Sequence, residues 1–161
     1  MDKYFIITLA LAAAALTSCQ TDRNAAEKDS AVSAAHSFSQ GEIPYLVAEG
    51  YFQNNTVKEL PAVVTTRADF DSLFGMAVTM GPEGQPTPVD FIKQFVIAVG
   101  LPETDRTTAI TPVSLKKDEK GQLTFSYRVE RGERRTYTTV PNLLLVVDSA
   151  YKGEVLLREV E

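Results

Sequence analysis

The chain has 161 residues, a formal net charge of −5 and a sequence pI near 5.0, with one cysteine and one histidine. An acidic chain lacks the basic footprint of nucleic-acid-binding proteins, so we expect no nucleic-acid partner. One cysteine allows no internal disulfide, and the histidine lies outside the predicted folded domain. Ser-His-Asp and Cys-His catalysis are therefore not expected, nor is a zinc site built on those ligands.

The first element is an apolar stretch over residues 4–16, which leads into the run Leu16-Thr17-Ser18-Cys19. About 13 apolar residues are too few to cross ~30 Å of hydrocarbon as a helix, but they suit a signal peptide. The run resembles the lipobox of bacterial lipoproteins. That resemblance implies a signal peptide over residues 1–18 and a lipid anchor on Cys19, which holds the protein on the extracytoplasmic side of the cell envelope, at the periplasmic face or the cell surface. An ordinary secretory signal and a retained transmembrane helix are the alternatives.

Residues 19–43 follow the signal peptide and are rich in Ala, Ser, Gln and charged residues. Such a segment buries too little apolar surface to offset the entropy cost of ordering it. It predicts a flexible tether, and we interpret His36 within it as a solvated residue. Residues 44–161 then form a single β-rich globular domain, which is long enough for one modest core.

Two strands are predicted at the start of this domain, over residues 45–52 and 62–66. One short helix follows over residues 66–74, because Thr66 can cap its first turn and Gly75 can end it. The order predicts a mainly β fold of the α+β type, an antiparallel β-sandwich or half-barrel with one short helix after the second strand.

The middle of the domain has a Gly- and Pro-rich segment over residues 81–88, which predicts a loop. The run over residues 95–100 is apolar without interruption, as in a central strand covered on both faces. Residues 110–116 and 123–130 are predicted strands joined by a turn at 118–121. The second of them alternates apolar and polar side chains, which indicates a half-buried antiparallel strand.

Gly132-Glu133 fits a two-residue hairpin turn, which predicts that Glu130 faces Arg135 and that Arg128 faces Tyr137. Strands over residues 143–148 and 154–160 complete the sheet. One core is predicted for the whole domain. Its expected members are Phe70, Leu73, Phe95, Ile97, Val99, Phe125, Tyr127, Leu145 and Val147.

Three motifs carry a further resemblance: TTRADFDSLF at 65–74, PVDF at 88–91 leading into FVIAVG at 95–100, and VPN at 140–142 leading into the strand that ends near 147. Together they resemble the C-terminal domain of PrcB-like proteins over residues 55–148. The resemblance implies a lipoprotein that associates with a surface protease and stabilises it. The family's Gly-Gly-Tyr loop is replaced here by residues 101–108, so the family's mode of contact does not carry over.

Two surface features suggest a partner-contacting site. The first is the polar loop predicted after Gly100, and the second is the predicted hairpin, where arginines alternate with tyrosines that could dock an anionic partner or a sugar face. A solvated hairpin whose charges pair with each other is the plainer interpretation. The candidate partner-binding residues are Glu103, Thr104, Asp105, Arg106, Arg128, Arg135 and Tyr137.

These features predict a lipid-anchored binding or assembly module of the cell envelope, with the membrane and an envelope protein such as a protease as its partners. A structural envelope lipoprotein without a dedicated ligand is the alternative. A hydrolase that acts through two carboxylates is a remote third, because its acids would have to lie about 5–9.5 Å apart in a cleft. We expect no catalytic residues, metal or cofactor.

Overall fold

A computed structural model of the protein describes residues 41–77 and 84–161. The predicted signal peptide, Cys19, most of the predicted tether and residues 78–83 of the predicted loop lie outside the described residues. A 3-10 helix, Ser149–Tyr151, precedes the last strand. The other elements are β1 (Tyr45–Ala48), β2 (Tyr51–Gln53), β3 (Val63–Val64), α1 (Arg67–Leu73), β4 (Phe74–Met76), β5 (Gln94–Gly100), β6 (Thr104–Lys117), β7 (Leu123–Thr139), β8 (Asn142–Asp148) and β9 (Val155–Glu159).

The central sheet has four strands in the order β1-β8-β5-β3, and all neighbours are antiparallel. β5 and β8 occupy its middle, with Phe95 opposite Val147 and Val99 opposite Leu143. Five consecutive residues are buried in each of these strands. The predicted central strand covered on both faces is therefore confirmed, because side chains of alternate residues enter different cores.

The first core lies between the central sheet and a second sheet of order β6-β7-β9. Phe95, Ile97 and Val99 reach it from β5. Phe125 on β7 and Leu115 on β6 close it from the opposite sheet, and neither is accessible to solvent. Two sheets packed face to face through interdigitated apolar side chains make this part of the molecule a β-sandwich.

The second core covers the other face of the central sheet. Val96 and Ala98 of β5 pack there against Phe70 of α1, whose ring is completely buried. The small β2-β4 sheet adds Phe74 to the same core. The prediction of a single core was therefore wrong: Phe70 belongs to a layer that the central sheet separates from Phe125.

The fold class is confirmed as mainly β, with antiparallel sheets and one α-helix in the described residues. The sheets are not closed into a barrel, but they approach each other where Ile43 N–H donates to Leu115 O at 2.8 Å. The helix follows the third strand rather than the second. The predicted strand over residues 45–52 is divided at Gly50, whose φ of 78° breaks the extended backbone.

Helix α1 begins as the sequence predicts. The Thr66 hydroxyl accepts a hydrogen bond from the Asp69 N–H at 3.1 Å, which caps the first turn. The helix ends differently, because the chain passes directly into β4 and Gly75 is a strand residue. Gly75 pairs with Phe52, and a Cβ atom at this glycine would lie 2.3 Å from the Phe52 ring. The glycine therefore makes room for an aromatic ring on the neighbouring strand.

The second half of the domain departs from the sequence prediction at three places. β7 continues through Gly132-Glu133, so the predicted hairpin turn there is wrong. β6 already begins at Thr104, which shortens the predicted loop after Gly100 to three residues. β9 runs parallel to β7, in the other sheet from β8. None of the helices in residues 41–77 and 84–161 is long and apolar enough to cross a bilayer.

Candidate partner-binding ribbon

The candidate site is the open end of the β6-β7 pair, residues 104–108 and 131–139, which we name the arginine ribbon. Thr104 pairs with Thr139, Arg106 with Arg134 and Thr108 with Arg131. The register shifts twice along this stretch, because β7 has more residues between these pairs than β6 has. Bulges of this kind bend a strand and redirect its side chains, so adjacent arginines need not alternate between two faces.

Residues 131–139 are all exposed, although β7 is a strand throughout. No side chain of this stretch belongs to either core. The same strand is buried at Leu123 and Phe125, which anchor it in the sandwich. The arginine ribbon is therefore a paired extension of a packed strand, with side chains that are not needed to hold the fold together.

Arg135 and Tyr137 form its most ordered feature. The Arg135 Nε donates to the Thr107 hydroxyl at 2.7 Å, and its NH1 donates to the Tyr137 hydroxyl at 2.7 Å. The guanidinium also lies 5.7 Å from the centre of the Tyr137 ring. Tyr137 is nevertheless 54% exposed. The Arg135 guanidinium is therefore held in one orientation beside an exposed aromatic ring.

The other ribbon arginines have intramolecular partners as well. Arg106 donates to Gly132 O at 3.1 Å, Arg134 lies 3.3 Å from an Asp105 oxygen, and Arg131 lies 3.9 Å from a Glu159 oxygen. Both ion pairs are solvent-exposed, so each contributes only about 0–1 kcal/mol. The ribbon has four arginines and two carboxylates of its own, and the carboxylates of Glu103 and Glu159 contact it from outside.

A cleft of about 220 Å³ lies where the arginine ribbon meets the segment after β5. Leu101 and Pro102 give it apolar walls, and Glu103, Thr104, Thr108 and Arg131 supply polar groups. The Thr138 hydroxyl donates to a Glu103 carboxylate oxygen, which ties β7 to this wall.

The structure brings six of the seven predicted residues together, because Glu103, Thr104, Asp105 and Arg106 lie beside the part of β7 that carries Arg135 and Tyr137. Arg128 lies apart from them: it pairs with Thr111, and its NH2 donates to Glu161 O at 3.2 Å. The predicted facing pairs Glu130 with Arg135 and Arg128 with Tyr137 are wrong, because β7 does not fold back on itself.

Thr107 and Arg131 fall within the two surface features that the sequence indicates, but their contacts could not be predicted from it. Thr107 fixes the Arg135 guanidinium, and Arg131 lines the cleft. The pairing of residues 104–108 with residues 131–139 is the signal that would have found them. That pairing is obscured because Pro102 and the polar residues after it resemble a loop.

Burial raises the pKa of three tyrosines. For Tyr45 nearby Glu42 raises the pKa further, and for Tyr127 the Glu159 carboxylate does so. For Tyr51 burial raises the pKa while Arg67 opposes the shift. Tyr127 of β7 pairs with Glu159 of β9, and Glu159 also forms the ion pair with Arg131. The edge of the first core at Tyr127 therefore lies next to the arginine ribbon.

These shifts predict alkaline destabilisation. Above the unfolded tyrosine pKa of about 10, the unfolded chain has lost phenolic protons that the native chain still binds. Their contribution to the free energy of unfolding is complete below about pH 10 and is lost as the pH rises through the native pKa values. Urea unfolding between pH 9 and 11, about the range of tyrosine titration, should show this fall. In the Tyr127→Phe variant the free energy of unfolding should fall less steeply with pH. A pH dependence equal to that of the wild type would contradict the assignment of part of this fall to Tyr127.

Within residues 41–77 and 84–161, no group of three or more His, Cys, Asp or Glu side chains lies close enough together to hold a metal ion. The acids Glu103 and Asp105 instead take part in contacts within the arginine ribbon and its cleft. The site therefore offers hydrogen-bond donors, positive charge and one exposed aromatic ring.

No family model matches this sequence, and no curated protein or solved structure is significantly similar to it.

Proposed function

We propose that the protein is a lipid-anchored module of the cell envelope that binds another envelope protein through the arginine ribbon. One observation carries the proposal: residues 131–139 continue a strand that pairs with β6 at Arg131, Arg134 and Thr139, and every one of them is exposed. Arg135 is already oriented by two hydrogen bonds, so it loses less conformational entropy on binding than a free arginine does. Arginine and tyrosine are also enriched among the residues that dominate binding energy.

The chemistry of the ribbon favours an acidic partner surface. The four arginines of the ribbon are exposed, and the carboxylates around them are those of Asp105, Glu133, Glu103 and Glu159. The exposed pairs Arg134–Asp105 and Arg131–Glu159 are weak enough for a partner carboxylate to replace the internal one. The resemblance to PrcB-like proteins suggests a surface protease as one such partner.

A structural envelope lipoprotein without a dedicated ligand is the second candidate. The observation that favours it is that each ribbon arginine already has a partner within the chain. In that case the arginines stiffen the β6-β7 extension, and their removal changes stability rather than binding.

Affinity capture from native membranes tests the proposal. Wild-type protein should retain an envelope partner, and Arg135→Ala should weaken its capture about thirtyfold, as expected when an oriented arginine dominates a contact at ~2 kcal/mol. Arg158→Ala is the matched control, because Arg158 is exposed on β9 and lies outside the ribbon. Both variants should unfold at the wild-type urea concentration. Equal capture by both would favour the structural alternative.

A further inference from the structure

A second surface lies at the opposite end of the β6-β7 pair, where the turn after β6 meets the segment before β9. The two enclose a groove of about 600 Å³, which we name the lysine groove. Its lining residues are Lys117, Asp118, Lys120, Gly121, Gln122, Lys152, Gly153 and Glu154.

The backbone beneath the lysine groove is fixed by hydrogen bonds and close contact. An Asp118 carboxylate oxygen accepts from the N–H groups of Lys120 and Gln122 at 2.9 and 2.8 Å, which holds the turn in shape. The two segments also touch, because a Cβ atom at Gly153 would lie 2.4 Å from Gly121 O. The three lysine side chains therefore extend from a rigid base.

Three ammonium groups and three carboxylates lie at this end of the domain. The lysines are accompanied by the shorter acids Asp118 and Glu154 in the groove and Glu119 on the turn. Asp118 is turned towards the backbone N–H groups that it accepts from. A lysine carries its charge on a flexible four-carbon stem, so it reaches further from the surface than a carboxylate does.

The lysine groove also lies where the chain from Cys19 joins the domain. Glu42 forms a β-bridge with Lys116, one residue before the groove, and Ile43 donates to Leu115. Arg106 of the arginine ribbon and Lys117 of the groove are at opposite ends of β6, roughly 35 Å apart at ~3.3 Å per strand residue. The attachment point and the lysines therefore share one end, and the ribbon occupies the other.

We propose that the lysine groove contacts the phosphate groups of lipid headgroups in the membrane that holds Cys19, with the arginine ribbon facing away from that membrane. This inference rests on the proposed lipid anchor, which supplies the membrane. An ammonium group near an anionic bilayer contributes about 1 kcal/mol, so three lysines make a contact that fails when all three are neutralised.

The test uses the full chain purified from membranes and reconstituted on vesicles of phosphatidylcholine, with or without phosphatidylglycerol. Hydrogen exchange of residues 117–122 and 152–154 should be slower on the phosphatidylglycerol vesicles, and high salt should remove the difference. Replacing Lys117, Lys120 and Lys152 with Gln should abolish it, with each substitution weakening the contact roughly fivefold. The matched control replaces Arg106, Arg134 and Arg135 with Gln, which removes the same charge from the other end and should leave the protection intact.

Equal exchange on both kinds of vesicle, or equal loss in both triple variants, would overturn the proposal. The same protection on phosphatidylcholine vesicles with excess inorganic phosphate would assign the lysines to a soluble phosphate and would overturn the headgroup contact. Failure of the anchor is detected separately, because the chain would then not float with phosphatidylcholine vesicles. If the anchor fails, flotation of the chain with phosphatidylglycerol vesicles measures the lysine contact directly. Flotation of the wild type that is lost in the lysine variant would support the contact. A wild-type chain that does not float with these vesicles would overturn it.

Discussion

Replacement of Phe125 with alanine is expected to lower the free energy of unfolding by about 3–5 kcal/mol. The ring has no solvent exposure and lies between the two sheets of the sandwich. It makes an edge contact with Tyr45 at a centroid distance of 6.4 Å and a stacked contact with Tyr127 at 5.8 Å. Its removal leaves a cavity bounded by both sheets, which rigid strands cannot easily collapse to fill.

Urea unfolding of the full chain measures this loss as a lower midpoint with an unchanged slope. Tyr137→Ala is the control on the same strand, because Tyr137 lies in the exposed arginine ribbon and its removal should change stability by only about 0.5 kcal/mol. A loss below about 1 kcal/mol for Phe125→Ala would show that the sheets do not depend on this ring.

The Cys19→Ser substitution should abolish acylation of the protein. The lipobox resemblance gives the Cys19 thiol as the acceptor of the lipid, and the chain has no other cysteine. Wild-type protein produced in a bacterial host should incorporate labelled fatty acid, lose residues 1–18 and remain in the membrane fraction through two or more acyl chains. The variant should show no label and no such processing.

Ser18→Ala is the matched control for Cys19→Ser. It changes the neighbouring residue but keeps a small side chain before the cysteine, so labelling and processing should persist. Mass spectrometry of the mature N-terminus distinguishes the two variants directly. Fatty-acid labelling that persists in Cys19→Ser would place any lipid elsewhere and would remove the basis for an anchor at this position.

The parts of the fold that the sequence predicted well depend on local signals. The run before Gly100 has too many consecutive apolar residues for a strand with one face in solvent, and β5 is indeed central. Thr66 caps α1 through its own hydroxyl, which requires only residues three positions apart. The β6-β7 turn was also predicted correctly, because Asp118 and Gly121 supply both the side-chain acceptor and the positive φ that it needs.

The errors arose where distant pairing overrides a local signal. Gly132-Glu133 has turn chemistry, but the pairing of β7 with residues 104–108 of β6 keeps it extended and absorbs the extra residues as bulges. The direction of β9 was equally hidden, because a short apolar strand has the same pattern whether its neighbour is parallel or antiparallel. The division into two cores follows from sheet order, which no single segment encodes.

The sequence indicated which residues belong to the candidate site, but it did not indicate how those residues are arranged. Residues 103–106 and the Arg135-Tyr137 pair were recognisable as polar and aromatic groups beside buried strands. Their proximity depends on the register shifts of β6 against β7. No register shift lies between Arg128 and Arg131, so Arg128 is separated from the arginine ribbon by its place along β7, where its guanidinium donates to Glu161 O.

The position of β8 determines when the domain can fold. β8 lies between β1 and β5, and Tyr45 pairs with Val147, which closes a loop of roughly a hundred residues at a corresponding entropic cost. Neither β1 nor β5 can take its place in the central sheet until Asn142–Asp148 has been synthesised and released. Topologies dominated by such distant pairs fold in milliseconds to seconds. The domain therefore completes its central sheet only after β8 has been synthesised, so it folds as one unit late in synthesis rather than strand by strand.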